Sequence, residues 1–524
     1  MDDDARLSID EWEPDAPLLG ADAEVTKGSR KSRRPWHVDI ARTPRAISTV
    51  ACVAIFLWVL SGMVVIVPAA RLAEDIICRH HYGRVDSDPI DEALCKADEI
   101  QALMAWIFGL SLTFGTIVSL IAVVPYGVLA DRARKPVYLL AAAGQFANVA
   151  WSLFVLRFWQ VLPVALILVG PALELIGGGL TMAIVVLYAI MSDVNAPEDR
   201  ATTYFFSSLA ANLAVFIGPP LASKLMEVWS PWVPVSLSLV LTALAGAVIF
   251  LIPETAIISN KPPGSDDSLS GVEVQEWRNA ITSRFNRVLY NSGLRSVLRK
   301  RPVVLILLVF MLTAPLPAGM GSLFLQYYSK RFGKSIEDAG YMLAIRGGLT
   351  IVVVGVLLPV LSRYLSSSYI KLSTFRRDLI LAQASAAFAG LGYFLLGGPD
   401  IAFLISGIVI LTFSVGIGPL CYSLISNLVE PGQISQIFTI VSIASGIGSL
   451  PSGPILALTF SSGMRLGGLW FGLPFFFLGG LGFASLVVLC LIHTEDSIVD
   501  FRNGAENNYV PLGSSRDNQL EDVH

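Results

Sequence analysis

Twelve long apolar segments dominate the sequence and restrict what it can fold into. A helix needs roughly 20 residues to cross a hydrocarbon layer of about 30 Å, and each segment reaches or exceeds that length. The segments are 46–70, 101–129, 136–156, 161–192, 200–227, 231–252, 302–327, 338–362, 375–397, 400–428, 433–460 and 466–492. Lipid offers an exposed backbone no hydrogen-bond partners, so the pattern predicts an all-α integral membrane protein with twelve transmembrane helices.

Polar stretches divide these segments into two sets of six. We predict a disordered tail at 1–45, a six-helix bundle at 46–252, a linker at 253–301, a second six-helix bundle at 302–492 and a disordered tail at 493–524. In the linker, apolar residues recur every three to four positions with arginines between them. That periodicity predicts a basic amphipathic helix on the membrane surface, or a solvated helix packing beneath the bundle.

Lysine and arginine are unevenly distributed, and this predicts the orientation. They concentrate in the amino-terminal tail, after the second segment and in the linker, whereas the loop 71–100 is acidic. By the positive-inside rule both tails are cytosolic, with Lys330, Arg331 and Lys334 as an exception on the outer side. The net charge of -4 gives no case for nucleic-acid binding.

Two cysteines, Cys78 and Cys95, lie in that outer loop. An oxidising compartment makes them candidates for a disulfide. Two free thiols in a mobile loop are the alternative, and the sequence leaves both open.

The turn after the second segment carries the most informative motif. Gly127 is followed four residues later by Asp131-Arg132, and then by Arg134-Lys135. This spacing resembles the loop between helices 2 and 3 of the major facilitator superfamily of secondary transporters, shortened by one glycine. The resemblance implies two pseudo-symmetric six-helix bundles with the ligand held between them.

The glycine of this motif and charged residues on the cytosolic face are candidates for a gate that opens and closes between conformations. They are Gly127, Asp131, Arg132, Arg134, Lys135, Asp193 and Arg200. Helix capping and positive-inside anchoring are the alternative, which accounts for Arg134 and Lys135 but not for Asp131.

Ionisable residues inside spans are costly and therefore candidates for function. Glu174 lies about 20 Å from the outer end of the fourth segment, where resemblance to the superfamily places it in the central cavity as a proton or substrate site. Arg346, in the eighth segment, keeps its charge and needs a partner, either an anionic substrate or Glu174 across the halves. A permanent Glu174–Arg346 pair, a cap at Pro171, or Arg346 bonded to backbone carbonyls are the structural alternatives.

Polar and aromatic residues within spans are candidates to line a pocket, with interface packing as the alternative. They are Trp58, Asn212, Gln326, Tyr327 and Tyr422. The five histidines lie outside the spans, which argues against a histidine proton relay.

Within the superfamily, the stretches around Ile90–Lys96 and Gln326–Gly333 resemble fungal facilitators, loosely like multidrug-efflux and proton-coupled folate carriers. We therefore predict a monomeric, proton-coupled exporter of a small organic molecule. Uptake or vacuolar loading of a nutrient anion, and a transporter-like sensor, are the alternatives. No metal cluster, nucleophile–base pair or nucleotide loop is visible, so we expect neither an enzyme nor a cofactor. We expect the plasma membrane, or the vacuolar membrane if Glu13 and Leu18-Leu19 act as a sorting signal.

Overall fold

The computed structural model describes residues 43–84, 90, 92–195, 197–255, 300–357, 360, 374–429 and 434–492. The side chains of 197–202, 374, 434–436 and 439 are outside this description. The predictions for the tails at 1–42 and 493–524, including the sorting signal, and for the linker helix within 256–299 lie outside the described residues. All described residues belong to one compact unit, Asp39–His524.

In the described part of the first half there are six spanning helices, of which the fourth is broken. Their bounds are α1 Pro44–His81, α2 Asp98–Arg132, α3 Arg134–Arg157, α4 in the pieces Val164–Val169, Gly170–Leu173 and Gly179–Val194, α5 Pro197–Val228, and α6 Trp232–Ala247 with the turn Val248–Leu251.

The second half repeats this arrangement with more interruptions. Its helices are α7 in the pieces Arg301–Thr313, Leu316–Met320 and Ser322–Phe332, α8 Ile336–Val352 with the π turn Val353–Leu357, α9 Thr374–Leu396, α10 in the pieces Ile401–Thr412, Phe413–Gly416 and Ile417–Ser426, α11 in the pieces Ile434–Ser449 and Ser452–Leu466, and α12 Gly468–Gly472 with Leu473–Cys490.

The predicted all-α membrane architecture is confirmed. Eleven helices of the described part are long and apolar enough to cross a membrane, and the twelfth predicted span is present as the shorter helices Val164–Leu173 and Gly179–Val194. No strand occurs among the described residues.

The break in α4 corrects the continuous helix that the sequence predicted at 161–192. Gly177, Gly178 and Gly179 have φ values of 88°, 82° and 57°, a region that residues with a side chain rarely adopt. Gly177 also lies directly against the backbone of α3 at Leu140 and Ala141, which leaves no room for a Cβ atom. The three glycines therefore unwind the helix in the interior of the protein.

A second break, in α7, follows from Pro315 and Pro317. Proline removes a backbone donor and clashes with the preceding turn, so the helix continues as the tight turn Leu316–Met320 before it resumes at Ser322. The Tyr393 hydroxyl donates to the carbonyl oxygen of Leu316, which satisfies one backbone acceptor released by the break. The predicted segment 302–327 thus consists of three pieces and extends to Phe332.

The two ends of the bundle carry different features. Cys78 and Cys95 are joined by a disulfide, which settles the alternative that the sequence left open, and their end is called the disulfide side. The opposite end carries the turn between α2 and α3 at Ala133, and the residues 255 and 300 that flank the linker. It is called the linker side.

Candidate functional site

A cavity of about 780 Å³ lies between the two halves, bounded by α1, α2, α5, α7, α8 and α11. Its walls are mostly apolar, with Met63, Ile66, Phe108, Leu112, Leu343 and Leu456 among the lining residues. The broken part of α7 lines one wall through Ala314, Pro317 and Gly321. Such a volume, enclosed mainly by hydrophobic side chains with a few polar groups, is typical of a small-molecule site.

Gln326 and Arg346 are the charged or amide side chains in this lining. Gln326 is 1% exposed, and neither its Nε2 nor its Oε1 has a hydrogen-bond partner. The Nε of Arg346 is also buried and unpaired, and no ion pair joins Arg346 to any carboxylate that the structure describes. Each buried unpaired polar group costs about 1–3 kcal/mol of folding free energy. Gln326 and Arg346 therefore do not stabilise the fold as they stand, and binding of a ligand explains their presence better.

The structure places Glu174 elsewhere than predicted. Its Oε1 accepts a hydrogen bond from Asn148 Nδ2 of α3, and its other oxygen lies beside Gly179 at the break of α4. Glu174 is not among the described residues that line the cavity, and its partner is Asn148 rather than Arg346. Because the glycine turn redirects the chain after Leu173, the carboxylate is held between α3 and α4.

Of the five residues predicted to line a pocket, the structure brings Gln326 to the cavity and the other four to packing positions. Trp58 donates to the Tyr138 hydroxyl at 2.7 Å within the core of the first half. Tyr327 is fully buried and packs its ring on Phe475 of α12. The Asn212 amide donates to Ser208 of its own helix, and Tyr422 packs between Phe310 and Phe438.

The predicted gate residues on the linker side form a cluster within the first half. Arg134 contacts Asp131 at 3.3 Å and Asp193 at 3.2 Å. Lys135 contributes to this cluster through its backbone N–H, which donates to the Glu254 carboxylate. Arg132 is exposed at the end of α2, and a Cβ on Gly127 would meet nothing within 4 Å. Arg200 lies in the first turn of α5, and its side chain is outside the described part of the structure.

Contacts between the halves lie at the level of the cavity or toward the disulfide side, as far as described residues show. Lys330 reaches Asp98 at 2.5 Å, Arg71 reaches Glu337 at 3.9 Å, and Tyr341 donates to Glu227 at 2.8 Å. The glycines Gly109 and Gly453 bring α2 and α11 into backbone contact beside the cavity. The protein is therefore closed on the disulfide side.

Comparison with known proteins identifies the family of this chain. A family model described as the Major Facilitator Superfamily matches residues 49–453. The chain belongs to the major facilitator superfamily. It is a secondary transporter and a multi-pass integral membrane protein, and this family membership indicates a transporter rather than an enzyme.

Two fungal relatives resemble this superfamily member over most of their length. The chain is 30% identical over 503 residues to the MFS efflux pump atnC of Emericella nidulans, covering 91% of this chain and 94% of that protein. It is 25% identical over 467 residues to the efflux pump ustT of Aspergillus flavus, covering 87% and 90% respectively.

Solved structures share the superfamily fold at low sequence identity. PepTSo, a transporter of the POT family, aligns with a TM-score of 0.60 at 16% identity over 86% of this chain and 98% of its own. The human organic anion transporter MFSD10 aligns with a TM-score of 0.54 at 17% identity over 86% of this chain and 100% of its own. These likenesses establish the fold.

Sequence reasoning missed two parts of the transporter. Lys330 and Arg331, treated as exceptions to the charge rule, have contacts that explain their position: Lys330 pairs with Asp98, and Arg331 donates to the Gly468 carbonyl at 2.6 Å. Glu254 at the end of α6 accepts hydrogen bonds from the backbone of Arg134 and Lys135 at 2.9 and 3.0 Å. The carboxylate in Pro253-Glu254-Thr255 was the available sequence signal, because a negative charge is stabilised at a helix N-terminus, here that of α3.

We expect Glu254→Ala to lower the free energy of unfolding by about 1–2 kcal/mol, because the first turn of α3 loses its capping carboxylate. The change is measured by denaturant titration of the purified protein, followed by tryptophan fluorescence. Glu99→Ala is the control, since the Glu99 side chain is 81% exposed and contacts only His81 among described charged groups, at 3.6 Å. Equal losses in the two variants would contradict the capping role.

Proposed function

We propose that this transporter exports a small organic molecule by alternating access, driven by protons. The observation that carries the proposal is the cavity between the halves, closed toward the disulfide side and bounded by helices of both halves. The relatives named efflux pumps in Emericella nidulans and Aspergillus flavus support the direction of transport.

This conformation corresponds to an inward-facing state if the basic linker side is cytosolic. The positive-inside rule supports this orientation, with both tails in the cytosol. In the outward-facing state, the cluster of Asp131, Arg134 and Asp193 would approach the second half and close the linker side, while the Lys330–Asp98 contact separates. Arg200 belongs to the same gate by its position on α5.

Glu174 is the proposed proton carrier, but it acts from the break in α4 rather than from the central cavity. It is a partly exposed carboxyl at the unwound turn of α4, where irregular backbone is tolerated only inside a protein or beside water. Gain of a proton changes the hydrogen bond with Asn148, because a protonated carboxyl oxygen can donate as well as accept. Proton binding would thus act on the break in α4 rather than compete directly for Arg346.

The test of transport uses inside-out vesicles with an imposed pH gradient, incubated with a mixture of small organic acids, bases and neutral compounds. We expect mass spectrometry to find at least one compound that accumulates with the gradient and not after its collapse. Accumulation that is insensitive to the gradient for every compound would remove proton coupling. Uptake only in vesicles of the opposite orientation would reverse the direction.

We expect Glu174→Gln to lower gradient-driven accumulation at least tenfold while exchange of the same compound across the membrane persists. The amide can keep a hydrogen bond to Asn148 but does not change its protonation state, so it cannot carry a proton. Glu99→Gln is the matched control, an exposed carboxylate whose loss should leave both activities unchanged. Gradient-driven accumulation at the wild-type level in Glu174→Gln would exclude Glu174 from coupling.

A second candidate is uptake or vacuolar loading of an anion, which the unpaired positive charge of Arg346 favours. Localisation of the tagged full-length protein separates a vacuolar from a plasma membrane. The direction of flux in oriented vesicles then separates loading from export.

A further inference from the structure

We propose that the central cavity binds amphipathic organic anions, with the acidic group on Arg346, a neighbouring polar group on Gln326 and an apolar body against the remaining walls. The inference rests on the proposed transport function for its biological meaning, but the binding it describes is testable without transport.

The polarity of the cavity is concentrated in those two side chains. Of the four hydroxyls in the lining, three already donate to backbone carbonyls of their own helix or of the turn before it: Thr116 to Leu112, Ser449 to Ser445 and Ser452 to Ser449. The fourth belongs to Ser322 on α7. By contrast, Gln326 leaves both an acceptor and a two-hydrogen donor unpaired in a fully buried position. A ligand therefore has few polar partners, and Gln326 is the amide among them, with unpaired atoms that can both donate and accept.

The charge of the site is positive and uncompensated. Arg346 carries the one formal charge among the lining residues, and the lining contains no carboxylate in the part of the chain that the structure describes. The carboxylate of Glu337, earlier on α8, pairs with Arg71 rather than with Arg346, and the Glu337 carbonyl accepts from the Ser223 hydroxyl. A guanidinium presents several fixed donors that match the two oxygens of a carboxylate, so an anion is favoured over a neutral molecule. An organic cation would be repelled.

The walls specify the rest of the ligand. Met63, Ile66, Phe108, Leu112 and Leu456 surround the space beside the two polar groups. The volume of about 780 Å³ exceeds what a simple carboxylate such as acetate would fill. The favoured ligand is an aromatic or alicyclic acid in which a single acidic group lies at one end.

The test uses three probes with the same apolar body: 1-naphthaleneacetate, its neutral amide 1-naphthaleneacetamide, and 1-naphthylmethylammonium. Equilibrium binding of tritiated 1-naphthaleneacetate to the purified full-length protein in lipid nanodiscs is measured at neutral pH, with the other two as competitors. We expect the acid to bind at least tenfold more tightly than the ammonium compound, with the amide between them.

Variants then assign the preference to residues. Arg346→Gln should weaken binding of the acid about tenfold and abolish its advantage over the amide, and Arg346→Lys should retain part of it because the charge is kept. Gln326→Leu should weaken the acid and the amide by similar factors. Arg465→Gln, an exposed arginine at the end of α11, is the matched control and should change nothing.

The comparison of the three probes on the wild-type protein decides the proposal even if Arg346→Gln does not fold. Absence of binding by the acid, or equal binding of acid and ammonium, would overturn it. So would unchanged acid binding in a folded Arg346→Gln protein. Gradient-driven transport of neutral compounds alone would support the transport proposal and refute this ligand class. Binding of the acid without any transport would support the ligand class and refute the transport proposal.

Discussion

Replacing Gly453 by leucine is expected to hold the disulfide side open and to lower transport at least tenfold. Gly453 lies on α11 against Gly109 of α2, and a Cβ on Gly453 would collide with the carbonyl group of Gly109. The reverse contact is also tight, because a Cβ on Gly109 would lie 2.6 Å from the Gly453 carbonyl oxygen. Because the opposing atoms belong to the backbone, no side-chain rotation can relieve the overlap. The two helices must separate, and the closed state that the structure describes becomes inaccessible.

The effect is measured by labelling a single cysteine placed at Ala457, a cavity residue that is 1% exposed, after the free cysteines have been changed to serine. A membrane-impermeant maleimide applied from the disulfide side should label the Gly453→Leu protein much faster than its parent. Gly480→Leu is the control, because Gly480 on α12 has nothing within 4 Å of its Cβ position. Equal labelling of Gly453→Leu and its parent would show that this contact does not control closure.

Replacing Glu74 by glutamine is expected to lower the free energy of unfolding by about 2–4 kcal/mol, a loss typical of removing one partner from a buried ion pair and reduced here because the cations are partly exposed. The Glu74 side chain is 1% exposed and accepts from Lys96 at 2.7 Å, Gln101 at 2.6 Å and Arg71 at 3.1 Å. Its neutralisation leaves Lys96 and Arg71 with only the more exposed carboxylates of Glu92 and Glu337 as counter-charges.

Glu92→Gln is the matched control for this prediction. Glu92 contacts the same two cations, Lys96 at 2.9 Å and Arg71 at 3.6 Å, but its side chain is 27% exposed. Its loss should cost about 1 kcal/mol or less, because exposed ion pairs are screened by water. Denaturant titrations of both variants give the comparison, and similar losses would show that burial of Glu74 does not matter.

The spans were predictable because each is a local property of the chain. Hydropathy located all twelve to within a few residues at most ends, although it could not foresee that α1 continues to His81 and so contributes Glu74 to the disulfide side. The breaks in α4 and α7 could be predicted only in part. Pro315 and Pro317 predict the break in α7, whereas the glycines at 177–179 indicate flexibility in α4 but not the direction in which the chain turns.

The candidate site was predicted unevenly, for a different reason. Gln326 and Arg346 lie in the lining of the cavity, whereas Trp58 and Tyr327 pack within the helix bundles, although all four are polar or aromatic residues within spans. A helix that is apolar on every side gives no periodicity to say which face meets lipid, a neighbouring helix or a cavity. Glu174 shows the same difficulty, because the glycine turn that comes after it directs its carboxylate to Asn148.

Twelve membrane helices in two sets were already encoded in the order of residues, since a backbone in lipid must satisfy its own hydrogen bonds and only long apolar helices do so locally. The meeting of Gln326 and Arg346 in one cavity, and of Lys330 with Asp98 across the halves, depended on helix rotation, on two broken helices and on close glycine contacts. Those are relations between distant segments, and packing sets them rather than hydropathy.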